Sequence, residues 1–271
     1  VGSEMCIRDR DIAVLQSKYG ANMEHATGSN TYDLPNSNRL GTFFECIWDA
    51  GGDDTLLYNG KRDAVLDLRA ATLEGAVGGG GRVSDAEGVL GGYTIAHGVV
   101  IENATGGSGD DRLFGNGADN ELRGSFGSDK LKGGGGLDNL FGGGGKDKLL
   151  GGKNSDMLKG GRGNDTLLGE AGNDTLKGGG GKDFLKGGGG DDLLIGGGGS
   201  DTFVFGKSSG SDTIRDFRDN DIVLVQSGAQ RLRDLTFTET EEGLLLEFAG
   251  ADIFFEGLER TDVNSSNFDF G

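Results

Sequence analysis

Residues 106–204, divided into blocks of nine, read GGSGDDRLF-GNGADNELR-GSFGSDKLK-GGGGLDNLF-GGGGKDKLL-GGKNSDMLK-GGRGNDTLL-GEAGNDTLK-GGGGKDFLK-GGGGDDLLI-GGGGSDTFV. The eleven blocks follow one another without an insertion, and position 1 is Gly in every block. Position 8 is Leu in ten blocks and Phe203 in the last. Position 6 is Asn120 in the second block and Asp in the other ten: Asp111, Asp129, Asp138, Asp147, Asp156, Asp165, Asp174, Asp183, Asp192 and Asp201. So strict a period predicts that every block forms the same local structure and stacks on its neighbours.

The repeat predicts a parallel β-roll. Positions 1 to 6 are expected to form a turn, since Gly allows backbone angles that other residues avoid. Positions 7 to 9 are expected to form a short strand whose middle side chain points inward. One block then makes half a coil, and equivalent turns lie two blocks apart along two edges of the roll. The predicted fold class is all-β: this roll, C-terminal β-sandwich strands after it, and one short N-terminal helix.

The stacked turns predict cation sites. Carboxylates that lie above one another repel unless a cation lies between them, and calcium prefers several oxygen ligands, including carbonyls. Asp also caps ordinary turns, but capping does not require Asp in one register over ten blocks. The pattern resembles the calcium-binding repeat of RTX proteins. One Leu per block is little apolar surface to offset the entropy of ordering a Gly-rich chain, so we expect the segment to be unfolded without ions.

The RTX resemblance implies the ligands of each site. The upper turn offers carbonyls at positions 2 and 4 with its Asp, and the turn two blocks on offers carbonyls at positions 1 and 3 with its own Asp. Eleven turns paired in this way allow nine sites. The first site would use Gly107, Gly109 and Asp111 with Gly124, Phe126 and Asp129. The last would use Gly179, Gly181 and Asp183 with Gly196, Gly198 and Asp201.

The second block departs most from the pattern. Asn120 is neutral, so its site with Asp138 should be weaker, and Ala118 replaces the Gly of position 4. We expect this block to be frayed. Asn154 also replaces a position-4 Gly, but Asn tolerates left-handed backbone angles better than most residues.

Composition excludes several classes of function. The chain of 271 residues carries 44 acidic and 26 basic side chains, a net charge of −18, which argues against a nucleic-acid surface. Cys6 and Cys46 fit neither a zinc motif nor a disulfide framework. No stretch reaches the roughly 18–20 apolar residues of a membrane span. Residues 1–10 lack the apolar core of a signal peptide, and we interpret them as a non-native segment.

The flanks predict short elements. Residues 11–19 (DIAVLQSKY) have the spacing of an amphipathic helix. Residues 42–48 and 64–68 are the clearest strands before the repeats. Residues 221–225, 244–248 and 252–255 are expected to be strands that cap the roll, because a solenoid end would otherwise expose its core.

Three phrases carry a more specific resemblance. DIAVLQSKYGAN (11–22), WDAGGDDT (48–55) and IAHGVVIENATGGSGDD (95–111) resemble the C-terminal region of serralysin-type (M10) secreted zinc metalloproteases. The resemblance implies that 11–29 ends a truncated catalytic domain and that 30–105 is a β-rich lead-in with a calcium site. The RTX roll would follow at 106–204, and 205–271 would hold capping strands and an export signal, with NFDFG resembling a type I export ending.

The same resemblance implies a calcium site before the roll. Its ligands would come from Asp49, Gly51, Gly52, Asp54 and Glu102, with the Val100 carbonyl. The family's T-G-D-T turn is replaced by Thr-Gly-Ser-Asn at 27–30, which lacks the carboxylate. The site that uses Asp49 is therefore less complete than the one that uses Asp54 and Glu102. A solvated turn at 53–54 is the alternative.

No catalytic residues are predicted in this chain. The motif H-E-x-x-H-x-x-G-x-x-H is absent, and the chain has only His25 and His97. Zinc would belong to a catalytic domain outside this chain. Three hypotheses remain: the C-terminal region of a secreted metalloendopeptidase, a free-standing calcium-binding secreted module, or part of an RTX toxin or adhesin. We expect calcium ions and the type I secretion machinery as partners, an extracellular location, and a monomer.

Overall fold

The computed structural model describes residues 27–38, 44–47, 51–70, 83–89, 92–95, 97–207 and 209–271, and these form an all-β protein with three short 3₁₀ helices. The helix predicted at 11–19 lies outside the described residues. In the part of the chain that is described, no helix is long and apolar enough to cross a membrane.

Twenty-four strands are described, in three groups. The strands before the repeats are β1 Thr31–Asp33, β2 Phe44–Ile47, β3 Thr55–Leu57, β4 Ala64–Asp67, β5 Ser84–Ala86, β6 Gly92–Ile95 and β7 Asn103–Thr105. The strands of the repeats are β8 Arg112–Phe114, β9 Glu121–Phe126, β10 Lys130–Gly134, β11 Asn139–Gly144, β12 Lys148–Lys153, β13 Met157–Arg162, β14 Thr166–Ala171, β15 Thr175–Gly180, β16 Phe184–Gly189, β17 Leu193–Gly198 and β18 Thr202–Phe205. The strands after them are β19 Ser211–Ile214, β20 Ile222–Val225, β21 Thr236–Glu239, β22 Gly243–Phe248, β23 Ala251–Glu256 and β24 Phe268–Phe270, with 3₁₀ helices at Leu232–Asp234, Arg260–Asp262 and Ser265–Asn267.

The strands form two sheets of 12. The first sheet has the order β1-β3-β7-β9-β11-β13-β15-β17-β19-β23-β22-β21, and the second has the order β2-β6-β5-β4-β8-β10-β12-β14-β16-β18-β20-β24. Successive repeat strands alternate between the sheets. Each pairs in parallel with the strand two blocks further on, as Leu140 with Leu158 and Leu131 with Leu149. The predicted coil of two blocks is therefore confirmed.

The core of the roll is a stack of the position-8 side chains between the two sheets. Every one of them, from Leu113 to Phe203, is at most 1% exposed. Alternation along each strand places positions 7 and 9 on the outer faces. The apolar column is one side chain per half-coil, as the sequence predicted.

The repeat strands are longer than predicted. Strand β11 covers positions 7 to 9 of one block and positions 1 to 3 of the next, and Gly143 pairs with Gly161 in the sheet. The expectation that positions 1 to 6 form the turn was wrong in its bounds, since in β9 and in β11 to β17 only positions 4 to 6 lie outside the strands. The paired Gly backbones continue the parallel ladder because no side chain blocks their close approach.

Two further half-coils follow the repeats. Strand β19 pairs with β17 and β20 pairs with β18, in a register that joins Leu194 to Ile214 and Phe203 to Val223. Strands β19 and β20 therefore occupy the next two places in the roll. Strands β21 to β23 then extend the first sheet by antiparallel pairing, and β24 closes the second sheet beside β20. The strands predicted at 64–68, 221–225, 244–248 and 252–255 are confirmed, with ends that differ by one or two residues.

The C-terminal end has a denser apolar core than the repeats. Phe217 lies 6.0 Å from Phe203 and 5.1 Å from Phe255 between ring centroids. Phe237 packs edge-on against Phe268 of the final strand. These aromatic contacts cover the end of the leucine stack.

Candidate metal-binding columns

Position-6 aspartates stack into two columns, one beside each sheet. In the second column, which precedes the strands of the second sheet, the Asp111 amide donates to Asp129 Oδ1 at 2.8 Å, and the Asp129 amide donates to Asp147 Oδ1 at 2.8 Å. In the first column, which precedes the strands of the first sheet, the Asp138 amide donates to Asp156 Oδ1 at 2.8 Å. The same bond recurs at 2.7–2.9 Å up to Asp192 and Asp201. Each carboxylate thus uses one oxygen to hold the preceding turn.

The second carboxylate oxygen is left without a protein partner. The Oδ2 atoms concerned are buried and accept no hydrogen bond; they belong to Asp129, Asp138, Asp147, Asp156, Asp165, Asp174, Asp183, Asp192 and Asp201. These residues are only 1–3% exposed. A buried carboxylate oxygen without a donor is costly unless a cation compensates it. The residues therefore fit a column of cations.

Burial strongly disfavours the charged form of these carboxyls. It raises the pKa of Asp129, Asp156 and Asp183 to about 7, with the neighbouring carboxylates of the same column adding to the shift. It raises the pKa of Asp138 and Asp147 to about 6. The hydrogen bond from the backbone amide of the preceding turn, here called the ladder bond, lowers the pKa only in part. The protein alone therefore does not supply enough positive charge for these sites.

Glycine at position 1 leaves room for the ligand oxygens. A Cβ atom on Gly124 would lie 2.3 Å from Asp129 Oδ2 and 2.7 Å from the Gly142 carbonyl oxygen. The unpartnered carboxylate oxygen of one turn and the position-1 carbonyl of the turn two blocks on therefore meet beside the same Gly. This explains why position 1 is Gly in every block, and these two oxygens are of the kind predicted to bind calcium.

The other predicted carbonyls lie between the same turns. Gly107 accepts from the Phe126 amide at 3.3 Å, and Gly198 accepts from the Gly181 amide at 2.7 Å. Each carbonyl oxygen keeps a second lone pair. A Cβ on Gly127 would lie 2.0 Å from the Gly109 oxygen, so these turns are closely stacked. Among the described residues, no group of three or more His, Cys, Asp or Glu side chains is arranged to hold a metal.

Asn120 replaces one carboxylate of the first column, although its backbone amide still donates to Asp138 Oδ1 at 2.9 Å. The Asn120 side-chain nitrogen donates to the Glu102 carbonyl at 2.9 Å, and the side-chain oxygen accepts from the Asn116 backbone amide at 2.8 Å. The Asn116 side chain also donates to the Ile101 carbonyl at 2.8 Å. Side-chain hydrogen bonds therefore close this turn, and the fraying expected for the second block stays a prediction. Asn154 adopts the positive φ, 73°, that its place in the turn requires.

The lead-in places Asp54 and Glu102 in the first column. The Asp54 amide donates to Glu102 Oε2 at 2.9 Å, and the Asn30 amide donates to Asp54 Oδ1 at 2.8 Å. Burial raises the pKa of Glu102. The two predicted ligands are thus brought together across 48 residues of sequence.

The remaining residues predicted for the lead-in site lie around this pair. Gly51 and Gly52 have positive φ, and a Cβ on Gly52 would lie 2.5 Å from the Gly28 carbonyl oxygen. The 27–30 segment therefore packs against the predicted ligand loop. Val100 is exposed, two residues before Glu102. Asp49 lies outside the described residues.

Sequence reasoning missed the ends of both columns. The Asp192 amide donates to Asp212 Oδ1 at 3.0 Å, and the Asp201 amide donates to Asp221 Oδ1 at 2.9 Å. At the other end, the Ala64 amide donates to Asp111 Oδ1 at 2.7 Å. The recurrence of Asp at the block period, from Asp212 to Asp221, was a usable signal. The longer connection before them and the absence of the repeat glycines concealed it.

Comparison with known proteins agrees with this architecture. Serralysin C of Dickeya chrysanthemi is 43% identical over 113 residues, which are 38% of this chain and 22% of that protein. Metallopeptidase AprA of Pseudomonas marginalis is 37% identical over 117 residues, 39% of this chain and 22% of that protein. The chain thus spans about a fifth of the length of these relatives.

A solved structure, the extracellular lipase LipA of Serratia marcescens, matches 69% of this chain and 45% of its own at 19% identity, with a TM-score of 0.34. So low a score supports no statement about either protein. The family model described as Peptidase M10 serralysin C terminal matches residues 15–252. Together with the two stacked columns and the parallel roll, this match shows that the chain belongs to the serralysin C-terminal family of M10 peptidases.

Proposed function

We propose that this chain is the calcium-binding and secretion region of an extracellular serralysin-type metalloendopeptidase, and that it folds on calcium binding after type I export. The catalytic zinc domain would lie in a part of the protein outside this chain. Residues 11–29 would end that domain, and residues 205–271 would carry the capping strands and the export signal.

The observation that carries the proposal is the row of nine buried Oδ2 atoms without partners. Each lies in a turn whose neighbour in the same column offers a second carboxylate and backbone carbonyls. When bound, calcium would supply the positive charge that allows these carboxylates to lie buried together. Hard oxygen ligands of this kind suit calcium at the weak affinities of extracellular modules, about 10⁻⁴–10⁻³ M.

The residues themselves explain why folding should wait for the ion. Burial raises the pKa of these carboxyls, to about 7 for Asp129 and about 6 for Asp147, so ionising them costs more free energy in the ion-free roll than in water. The unfolded chain leaves the same carboxylates in water, where ionisation costs nothing. Binding free energy therefore becomes folding free energy, and the chain would stay unfolded where calcium is scarce, as a type I export channel requires.

Secretion is supported by the family to which the chain belongs. Relatives named serralysin match part of this chain. We place the folded protein outside the cell as a monomer. Its partners would be calcium and the export machinery.

Far-UV circular dichroism of the whole chain tests the proposal. We expect little β signal in a chelator and full recovery in millimolar calcium. Magnesium should restore much less, because it demands a smaller octahedral shell and keeps its waters. A β signal that ignores both chelator and calcium would refute calcium-driven folding. The sequence upstream of residue 11 tests the parentage separately, where we expect the motif H-E-x-x-H-x-x-G-x-x-H.

A further inference from the structure

The last interface of the second column differs from those before it. The eleventh turn (196–201) faces the final turn (216–221), which belongs to the second half-coil after the repeats. The ladder bond is kept here, since the Asp201 amide donates to Asp221 Oδ1 at 2.9 Å. Unlike the repeat aspartates, however, Asp221 also accepts with its second oxygen, since the Arg218 backbone amide donates to Asp221 Oδ2 at 2.8 Å.

The carbonyls of this interface are already taken by side chains. The Arg218 guanidinium donates to the Gly197 carbonyl, and the Asn220 side-chain amide donates to the Gly199 carbonyl. Gly197 and Gly199 are positions 2 and 4 of the eleventh block. These are the two upper-turn carbonyls that the RTX resemblance implies as calcium ligands. Their donors here are side chains that reach across the space between the two turns, where the ion would lie.

This interface also contains a positively charged side chain, the Arg218 guanidinium. The Asp216 carboxylate accepts from the Gly196 and Gly197 amides, each at 2.8 Å. The Arg218 guanidinium and the Asp216 carboxylate both lie close enough to Asp201 to interact with its charge. A guanidinium keeps its charge at any physiological pH and offers several donors in a fixed fork, so it can replace both the charge and the coordination of an ion.

The seventh block provides an internal comparison. Arg162 and Asn164 hold the same positions, 3 and 5, in GGRGNDTLL that Arg218 and Asn220 hold in DFRDNDIVL. Yet Asn164 Oδ1 accepts from the Lys182 amide of the following turn at 2.8 Å, and does not cap the turn before. Asn164 and Asn220 therefore make different contacts in the two turns.

The backbone explains the difference. The seventh block has Gly161 and Gly163 at positions 2 and 4, with φ of 118° and 122°. The final turn has Phe217 and Asp219 there, and neither has a positive φ. Because positions 2 and 4 of the final turn lack a positive φ, its backbone differs from that of the repeat turns, and its Arg218 and Asn220 side chains contact the eleventh turn.

We infer that Arg218, helped by Asn220, is an internal cation that takes the place of calcium and ends the second column. The column of ions then stops at the site between Asp183 and Asp201. The inference rests on the proposed calcium binding, but it concerns only the last interface, where the prediction is that no ion binds.

Counting bound calcium tests this directly. The double variant Arg218→Ala with Asn220→Ala frees both carbonyls and removes the cation, so the calcium-saturated chain should hold one ion more than the wild type. The matched control, Arg162→Ala with Asn164→Ala, should hold the wild-type number. An equal count in the first variant and the wild type would overturn the inference, whereas a wild type that holds no calcium would overturn the proposed function.

A measurement on the wild type avoids the case in which the variant fails to fold. In the calcium-saturated protein, nuclear magnetic resonance should show slow hydrogen exchange and restricted rotation for the Arg218 guanidinium. The Arg162 guanidinium, in the same molecule, should show neither. Equal behaviour of the two side chains would mean that Arg218 does not hold the Gly197 carbonyl, and the inference would be wrong.

Discussion

Two glycines of one strand should respond in opposite ways to the same substitution. Gly178 and Gly180 are positions 1 and 3 of the ninth block, and both have φ values open to Ala. A Cβ on Gly178 would lie 2.4 Å from Asp183 Oδ2 and 2.7 Å from the Gly196 carbonyl oxygen. A Cβ on Gly180 would meet nothing within 4 Å. Gly178→Ala therefore tests the position at which carboxylate and carbonyl oxygens converge, and Gly180→Ala is its control.

The magnitudes follow from these contacts. In Gly178→Ala the Asp183 carboxylate must move away, which strains the core and weakens its 2.8 Å bond from the Asp165 amide. Overpacking and a weakened bond to a charged acceptor together should lower the free energy of unfolding by about 2–5 kcal/mol. Gly180→Ala restricts only the unfolded chain and should raise it by about 0.4–1 kcal/mol.

Urea unfolding in saturating calcium, followed by far-UV dichroism, measures both values. The structure requires a difference of at least about 2 kcal/mol between the two variants, with Gly178→Ala the less stable. If the two variants agree within about 0.5 kcal/mol, the position-1 glycines are not there to admit the carboxylates, and the geometry assigned to the columns is wrong.

Three other outcomes are expected. In chelator, the far-UV β signal should rise as the pH falls from about 8 to about 5. The pKa of Asp129 and Asp183 is about 7 in the folded chain and 3.8 in the unfolded chain, so the stability that protonation adds is lost as the pH rises through 7. A flat or opposite pH dependence would contradict the burial of these groups. Asp147→Ala removes the acceptor of the Asp129 backbone amide, at 2.8 Å, and a carboxylate shared by two proposed calcium sites. It should lower the free energy of unfolding in calcium by about 1–3 kcal/mol, whereas Lys146→Ala, at the adjacent exposed residue, should change it by less than about 0.5 kcal/mol. Similar losses in the two variants would refute the stacking of the aspartates. Leu149→Ala, at 0% exposure, should cost about 2–5 kcal/mol in urea unfolding, and Leu150→Ala, half-buried on the outer face of the same strand, should cost clearly less; the reverse order would place the core on the wrong face.

The period of nine residues predicted the centre of the molecule because it sets both the sheet and the column of every residue. A constant spacing places Leu140 above Leu158 and Asp138 above Asp156, whatever the residues at the variable positions. The strand bounds were not predicted from that period, since glycines such as Gly143 read as turn residues yet pair in the parallel sheet. Their role is set by the neighbouring coil, which the local sequence does not reveal.

Outside the repeats the same structure is built from irregular spacing. Asp54 and Glu102 stack although 48 residues separate them, because the intervening chain forms the strands β4 to β6 of the other sheet. Their pairing was predicted through family resemblance and could not be reached from a period. Asp212 and Asp221 carried no glycine pattern, and the donors Arg218 and Asn220 look like ordinary loop residues in sequence. Their partners are fixed by tertiary contacts alone.

The alternation of successive strands between two sheets limits how the length of the roll can change. Each strand pairs with the one two blocks on, while its neighbours in sequence belong to the opposite sheet. Excision of residues 139–156 would join Asp138 to strand β13 and leave every later strand in its present sheet. Excision of 139–147 alone would send all later strands to the opposite sheet and turn the C-terminal cap to the wrong side. Gain or loss of repeats, in evolution or by design, must therefore proceed in whole coils of two blocks.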